Sequence, residues 1–584
     1  MNAYMGLVTA YIDTGNLKEA KNSCNVAFSV NPNDANVFYN FAYLNLLSWE
    51  LDEALSNIKK SIILKGENTS FKEFNLLGVI YTKKNLKNYS QVYFEKSVNI
   101  NPNYEPAIKN LALLYINRGL YEDAIKLIEN KIKQMEDLHY AYSILGLGYF
   151  NLLELKKGMD FFEKSLNTKF TVTTCSHYLF YSLYINDFSR EKYFNLTHKL
   201  RDFLKQEKLV GEFKNLKKIN KYNKKIRVGF NGDFKEHVII YQIFAVIEHL
   251  SDSQDIELVA YNNSNVVDKF TEKLKSKFFL WRDIYLYKDN QALEIIRNDQ
   301  LDIFVDLQGH SGENSRYKLL IERSAPIQIS WCGFLDSMGF PEIDYIIADP
   351  HVVDKSEEKK YSEKIIYMPN IWSSLDTRLI NINSEKLVST NKNFVTFGSV
   401  SNPLKINDNV LRVWSEILRQ RDNSKLLLTY KSYNILEIKK KIISFFYKEE
   451  ISQERIIFKV PKDRGDFLAS YLDIDIMLDT FPYSGMTTNL EAAWMGIPTL
   501  TLKGDTFLSK CGVSVNMNLK MHDWIAKDEL DYIKKAIFFS SNIKDLESYK
   551  NKLLKDKMFS KIFDSKEFAN NLIILFRDLV SKIN

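Results

Sequence analysis

The feature that most constrains this chain is a recurrence in its first third, where small residues, aromatics and prolines return at a nearly fixed interval. Tyr11, Gly15, Ala20, Ala27 and Pro32 open the series. The frame restarts near 35 with Ala42 and Ala54, and near 71 with Gly78, Tyr81, Phe94 and Pro102. It returns near 105 with Ala112, Tyr115, Gly119 and Ala124, and near 139 with Gly146, Tyr149 and Phe162. The restarts lie 34, 36, 34 and 34 residues apart, the length of one pair of antiparallel helices with its turns. Small residues let the two helices cross closely, aromatics fill the groove to the next pair, and proline closes the second helix. A single pair cannot bury its apolar face, so five in series predict one stacked array.

This interval is the tetratricopeptide period, and it predicts a superhelix over 1–172 whose concave face suits an extended polypeptide. From 173 to 223 the helical pattern is less regular and reads as a bridge or linker. That segment runs into the densest basic stretch, KNLKKINKYNKKIR (Lys214 to Arg227), which reads as a solvated linker.

Beyond 224 strands and helices alternate. Ile226 to Phe230 is an apolar strand that breaks into Asn231, Gly232 and Asp233, and a helix-like stretch runs from Tyr241 to His249. IELVAY, LDIFVDLQG, PIQISWCGF and DYIIADP follow as strands. A second series opens at NFVTFGS and continues through KLLLTY, RIIFKV, DIDIMLDT and PTLTLKG, with helices between. Such alternation implies parallel sheets with right-handed crossovers, hence two Rossmann-like lobes at 224–375 and 376–584. The fold class is α plus α/β. Ligands of such sheets bind beyond the carboxyl ends of the strands.

One stretch at such an end is LDTFPYSGMTTNLEAAWMGIPTLTLKG, Leu478 to Gly504. A helix opens there after a Gly/Pro loop, with Thr487 and Thr488 at its start. Helix starts bind anions, but Thr488-x-x-Glu491 is also a capping box that needs no ligand.

Composition excludes several classes. A net charge of +6 over 584 residues is too dilute for a nucleic-acid surface. Four distant cysteines show no metal or redox spacing, which fits a reducing compartment. No run of 18 apolar residues spans a membrane, and the N-terminus lacks the basic, apolar order of a secretory leader. The expected location is the cytoplasm.

IRVGFNGDFKEH (226–237), LWRDIY (280–285), DIFVDLQGHSG (302–312), APIQISWCGF (325–334), DYIIADP (344–350), YSEKIIYMPN (361–370), NFVTFGSVSNPLKI (393–406) and the stretch just quoted occur in order. With the repeats before them, the chain resembles the protein O-GlcNAc transferases and the plant Spindly proteins over nearly its whole length. LWRDIY, FVTFGS and LDTFPYSG look closer to the Spindly branch.

The resemblance implies a metal-independent GT-B enzyme, without a cofactor, that moves a sugar from a nucleotide to Ser or Thr of a protein acceptor with inversion. UDP-GlcNAc is the first donor expected, and GDP-fucose the alternative. In its terms the first lobe is the acceptor side, with His237 assisting proton removal, and Gly309, His310 and Ser311 lining the sugar pocket. Lys405 and Thr487 and Thr488, with Gly485 before them, bind the diphosphate; Glu491 holds the ribose and Arg464 contacts the nucleotide. Met486 and Phe467 stand where the family often has histidine. The repeats would present the acceptor, and they also offer a surface for a homodimer. A repeat scaffold with a decayed transferase region is the alternative of a different class, and asparagine N-glucosylation a third. Asp473-x-Asp475, which looks like a metal-binding pair, reads as structural in such a fold.

Overall fold

The structure is a computed structural model that describes residues 2–582, except 15, 187–188, 207–215, 217–224, 311–314 and 383–393. Most of the basic run at 214–227 therefore lies outside the described residues, as does Ser311. The chain divides into two compact units, Met1–Phe170 and Thr171–Asn584.

The first unit is five helix pairs: α1 (Asn2–Asp13) with α2 (Leu17–Val30), α3 (Ala35–Leu47) with α4 (Leu51–Lys65), and α5 (Phe71–Lys83) with α6 (Lys87–Ile100). Then come α7 (Glu105–Asn117) with α8 (Tyr121–Lys131), and α9 (Leu138–Asn151) with α10 (Leu155–Thr168). The repeated small residues sit where pairs cross. A Cβ on Gly78 would lie 2.5 Å from the Phe94 ring, and one on Gly146 2.6 Å from the Phe162 ring. These are the same contact two repeats apart, so the recurrence records a steric requirement.

Two further recurrences appear only in the fold. Ser61, Ser97 and Ser165 each donate from the second helix of a pair to a carbonyl at the start of the first, those of Ala35, Phe71 and His139. The turn inside a pair takes a left-handed residue at Trp49, Asn85, Gly119 and Leu153, and only one of these is glycine.

The second unit begins with α11 (Val172–Ser182) and α12 (Arg190–Gln206). Expected as a bridge or linker, they pack firmly on the first lobe. Tyr193 donates to the Ser337 carbonyl at 2.6 Å, Arg190 grips Asp336 through two nitrogens at 2.9 and 3.1 Å, and the Arg201 Nε meets Glu342 at 2.9 Å. Gly339, at φ +70°, lies so close to Thr197 that a Cβ would collide.

The first lobe follows as β1 (Ile226–Gly232), α13 (Val238–Ser251), β2 (Ile256–Asn262), α14 (Lys269–Lys275), β3 (Leu280–Asp283), α15 (Asp289–Asn298), β4 (Ile303–Asp306), α16 (Tyr317–Ile321), β5 (Ile327–Ser330), β6 (Tyr345–Ala348) and β7 (Lys364–Tyr367). Its sheet has the order β3-β2-β1-β4-β5-β6-β7, with every pairing parallel.

The second lobe contains β8 (Val395–Ser399), α17 (Asp408–Gln420), β9 (Ser424–Thr429), α18 (Leu436–Lys448), β10 (Ile456–Lys459), α19 (Arg464–Ala469) and β11 (Ile476–Leu478). It continues with α20 (Thr487–Trp494), β12 (Thr499–Leu502), α21 (Cys511–Asn518), β13 (Ile525–Ala526), α22 (Glu529–Ser541) and α23 (Ile543–Asp556). The order is β10-β9-β8-β11-β12-β13, again parallel throughout. Both sheets wind outward from a central first strand, as two nucleotide-binding lobes do.

The last helix, α24 (Ser565–Lys582), was expected with the second lobe but packs against α13 of the first. Phe568 stacks on Trp331 with ring centroids 5.8 Å apart, and Arg577 pairs with Asp255. The chain thus crosses between lobes twice, and the crossings are tied by the Ser374 and Ser565 hydroxyls at 2.8 Å. All four cysteines are free and buried, as small core residues.

Candidate active site

The site is assembled at the carboxyl ends of two adjacent strands of the second lobe. After β8 the chain turns through Ser401 and Asn402 to Lys405, with the Asn402 side chain accepting from the Leu404 N–H at 3.2 Å. After β11 it runs through Asp479 and Ser484 into α20. Asn407 ties the two loops by donating to the Phe481 carbonyl at 2.8 Å.

Asp479 organises the second loop, a role that the sequence reading missed. Its buried carboxylate accepts from the Ser484 hydroxyl (2.5 Å), the Gly485 N–H (2.8 Å), the Asn489 amide (3.0 Å) and the Thr501 hydroxyl (2.7 Å). Burial raises its pKa and these donors oppose the rise. Gly485 is required here because a Cβ would strike the Thr488 hydroxyl. The available signal was an acid ending an apolar strand just before Ser-Gly.

The capping box does not form. Met486 occupies the N-cap of α20 without a side-chain cap bond. Glu491 points away from the helix start: Arg464 donates to one carboxylate oxygen and Tyr471 to the other, at 2.8 Å for the tyrosine. Arg464 also lies over the Tyr241 ring at 4.3 Å. Among the described residues the Thr488 hydroxyl is buried with no partner, and so is that of Ser401. The first-turn N–H groups of α20 have no intrahelical acceptors, so the start of this helix is equipped to donate and has not been closed by its own side chains.

Lys405 extends across the same opening. Its Nζ lies 3.3 Å from the Ser484 carbonyl and 4.1 Å from the centroid of the Tyr483 ring. Burial lowers its pKa to about 8, with the Asp479 and Cys511 groups pulling the other way. The ammonium therefore sits in a seat that an anion would relieve.

The first lobe closes the opposite wall. Gln242 on α13 donates to the Thr487 hydroxyl at 2.7 Å and accepts from Ser373 at 3.0 Å, bridging the lobes. His237 caps α13, its Nδ1 facing the Ile239 N–H at 3.5 Å. Partial desolvation by the surrounding walls, with Lys235 and Lys431, holds His237 below the ordinary histidine pKa, against the opposing pull of Asp233. A neutral imidazole is the form able to take a proton.

Together these groups enclose a cavity of about 510 Å³. His237, Lys405, Arg464, Met486, Thr487, Thr488 and Glu491 all line it, with Phe467 and the rings of Tyr181, Tyr184, Tyr430 and Tyr483. Gly485 is not part of the lining but packs close to the Thr488 hydroxyl.

His310 and Gly309 do not reach the cavity. His310 is fully buried, with Nε2 donating to the Met338 carbonyl at 3.0 Å and Nδ1 facing the Tyr317 hydroxyl at 3.0 Å. Burial pushes its pKa to about 4. Gly309, at φ +59°, is pressed against Phe334. Their motif follows a strand end, as the sequence indicated, but its histidine turns inward to hold the lobe against α11, where Ser176 donates to the His310 carbonyl. Asp475 is likewise structural, paired with Lys550 at 2.9 Å and accepting from the Thr396 N–H, while Asp473 meets Lys459.

Two parallel Rossmann-like lobes around a cleft, with a lysine and an open helix start on one wall, are the architecture of the two-lobed glycosyltransferases. The chain belongs to glycosyl transferase family 41, whose profile matches residues 203–393 and 377–572, and a tetratricopeptide repeat profile matches 2–34. It is 29% identical over 352 residues to a protein of Solanum lycopersicum described as a probable UDP-N-acetylglucosamine–peptide N-acetylglucosaminyltransferase SPINDLY. That match covers 59% of this chain and 38% of the relative. An Arabidopsis thaliana protein with the same description but the name SEC is 22% identical over 362 residues, covering 60% of this chain and 36% of its own. The chain thus spans well under half the length of these plant relatives. A mutant of the Thermobaculum terrenum O-GlcNAc transferase shares the fold, with a TM-score of 0.78 and 22% identity over 88% of this chain and 98% of that one.

Proposed function

We propose that this glycosyltransferase moves GlcNAc from UDP-GlcNAc to a Ser or Thr hydroxyl of a protein acceptor, presented along the repeats. The observation that carries the reading is the convergence of Lys405 and the uncapped start of α20 on one cavity wall, with the Thr488 hydroxyl unpartnered beside them. That wall suits the leaving group of such a transfer, a nucleoside diphosphate whose charge grows as the glycosidic bond breaks.

In this reading the acceptor oxygen attacks the anomeric carbon from the first-lobe side. The carbon–oxygen bond to the diphosphate breaks, and the configuration inverts. Lys405 and α20 take up the charge without a metal or cofactor. The hydroxyl proton passes to His237 or to a donor phosphate oxygen. Arg464 and Glu491 face the nucleoside. A repeat-mediated homodimer and a cytoplasmic location belong to the same proposal; among the described residues no helix is long and apolar enough to cross a membrane.

GDP-fucose is the second donor reading, favoured by the Spindly-like motifs and by Met486 and Phe467 in the cavity wall. Intact-mass spectrometry of co-expressed acceptors with each nucleotide sugar tests both. A mass gain of one N-acetylhexosamine that disappears in Lys405→Ala supports the first donor, and a deoxyhexose gain replaces it with the second. No transfer from either donor, with partner binding unchanged in Lys405→Ala, returns the chain to a scaffold.

A further inference from the structure

The cavity has one wall that donor chemistry alone does not explain. Tyr184 lies just beyond α11, ahead of both lobes in the chain, and yet it reaches the diphosphate wall of the second lobe. Its ring centroid is 4.4 Å from that of Tyr483 at an interplanar angle of 41°. Phe180 packs edge-on against Tyr184 at 5.6 Å, and Tyr184 is 4% exposed. Tyr483 in turn carries the Lys405 ammonium 4.1 Å from its ring centroid. Residues 184, 483 and 405 thus form one contiguous stack.

The chemistry gives the stack a purpose. A lysine ammonium is a hydrated point charge on a flexible stem, and left to itself it would swing toward water. Here it is held partly desolvated by one carbonyl, that of Ser484, and by the face of one ring. The ring can hold it only if the ring itself is fixed. Tyr483 sits in an irregular loop, where Tyr184 packs against its ring.

We propose that Tyr184 is a positioning residue for Lys405: by fixing Tyr483 it seats the ammonium against the donor diphosphate, and so makes the helical segment ahead of the lobes part of the donor site. This inference rests on the donor reading above. It goes beyond it in assigning a role to a residue outside both Rossmann-like lobes.

A double-mutant cycle with the full chain tests it, using UDP and GDP with their nucleosides as ligands. Tyr184→Leu is expected to weaken the preferred diphosphate about tenfold and to leave the matching nucleoside within about twofold. In a Lys405→Ala background the same change should cost less than about twofold, because its route of action is gone. Tyr184→Phe keeps the ring and should recover most of the loss. Should Tyr184→Leu fail to fold, Tyr184→Met, which also removes the ring, carries the same cycle. Equal losses in both backgrounds, or weakened nucleoside binding, would show a merely structural residue and overturn the inference, as would unchanged diphosphate affinity. Failure of the unaltered protein to bind either diphosphate removes the donor reading itself, and this inference with it.

Discussion

Gln242 of the first lobe donates to the Thr487 hydroxyl of the second at 2.7 Å, so the helix start proposed to face the diphosphate is held by a side chain from across the cleft. Both residues are buried. Removing the amide in Gln242→Ala leaves the Ser373 and Thr487 hydroxyls without this partner and loosens the closed arrangement. The expected cost is about 1–3 kcal/mol in donor affinity, roughly a five- to 150-fold weaker Kd by calorimetry. An unchanged Kd would mean that the bridge is incidental.

Lys405 predicts a pH dependence of donor binding with a definite sign. In the free protein its pKa is lowered to about 8 by burial. A bound diphosphate stabilises the ammonium and raises that value. Affinity is therefore full below pH 8, where the lysine is charged in both states. It falls as pH rises from there toward the pKa of the complex, by up to about tenfold per pH unit. Lys405→Arg keeps its charge through this range and should flatten the profile, whatever it does to affinity at neutral pH. Titration of UDP binding between pH 7 and 10 reads both.

Asp479 accepts from Ser484 and Gly485 of the loop that leads into α20, from Asn489 of α20 and from Thr501 of β12. Asp479→Asn removes the charge and turns one oxygen into a donor that faces other donors. We expect a loss of about 2–4 kcal/mol in denaturant unfolding of the part that carries both lobes. Diphosphate affinity should fall with it, because Ser484, Gly485 and Asn489 lose their common acceptor.

Gly146 meets the Phe162 ring closely enough that a Cβ must displace it. Gly146→Val should destabilise the repeat unit by about 1–3 kcal/mol through overpacking. Since the proposed nucleotide site is built from groups in 171–584, UDP affinity should stay near that of the unaltered protein. Differential melting of the two units, with and without nucleotide, checks both halves.

Much of this was legible in the residues, and the reasons differ by element. The repeat was readable because Gly78 and Gly146 answer to the same large ring at the same offset, so a steric need is written as a period. The strands were readable because strands of a parallel sheet buried on both faces are continuous apolar runs, such as Ile303 to Val305 and Leu426 to Leu428. Lys405 and Thr488 could be named because the family resemblance falls on them, the one in the loop after β8 and the other in the first turn of the helix after β11. His310 could be named on the same logic, and there the logic failed: a loop position says where a backbone goes, and packing decides which way the ring turns. Glu491 had two readings in the sequence, and Arg464 with Tyr471 decided against the cap.

The sequence by itself determined the order of the parts: a helix-pair array, then two doubly wound lobes, each strand followed by a loop that could carry chemistry. Periodicity and apolar runs are local, and a local pattern is enough for that. Only the tertiary structure decided that Gln242 reaches Thr487, that Tyr184 reaches Tyr483, that Asp479 gathers four donors, and that the last helix returns to the first lobe. Each of these joins residues between 5 and more than 300 positions apart, and most are too distant for any short-range period to register. What selects them is the burial of a polar group or a ring that must find a partner wherever the fold brings one.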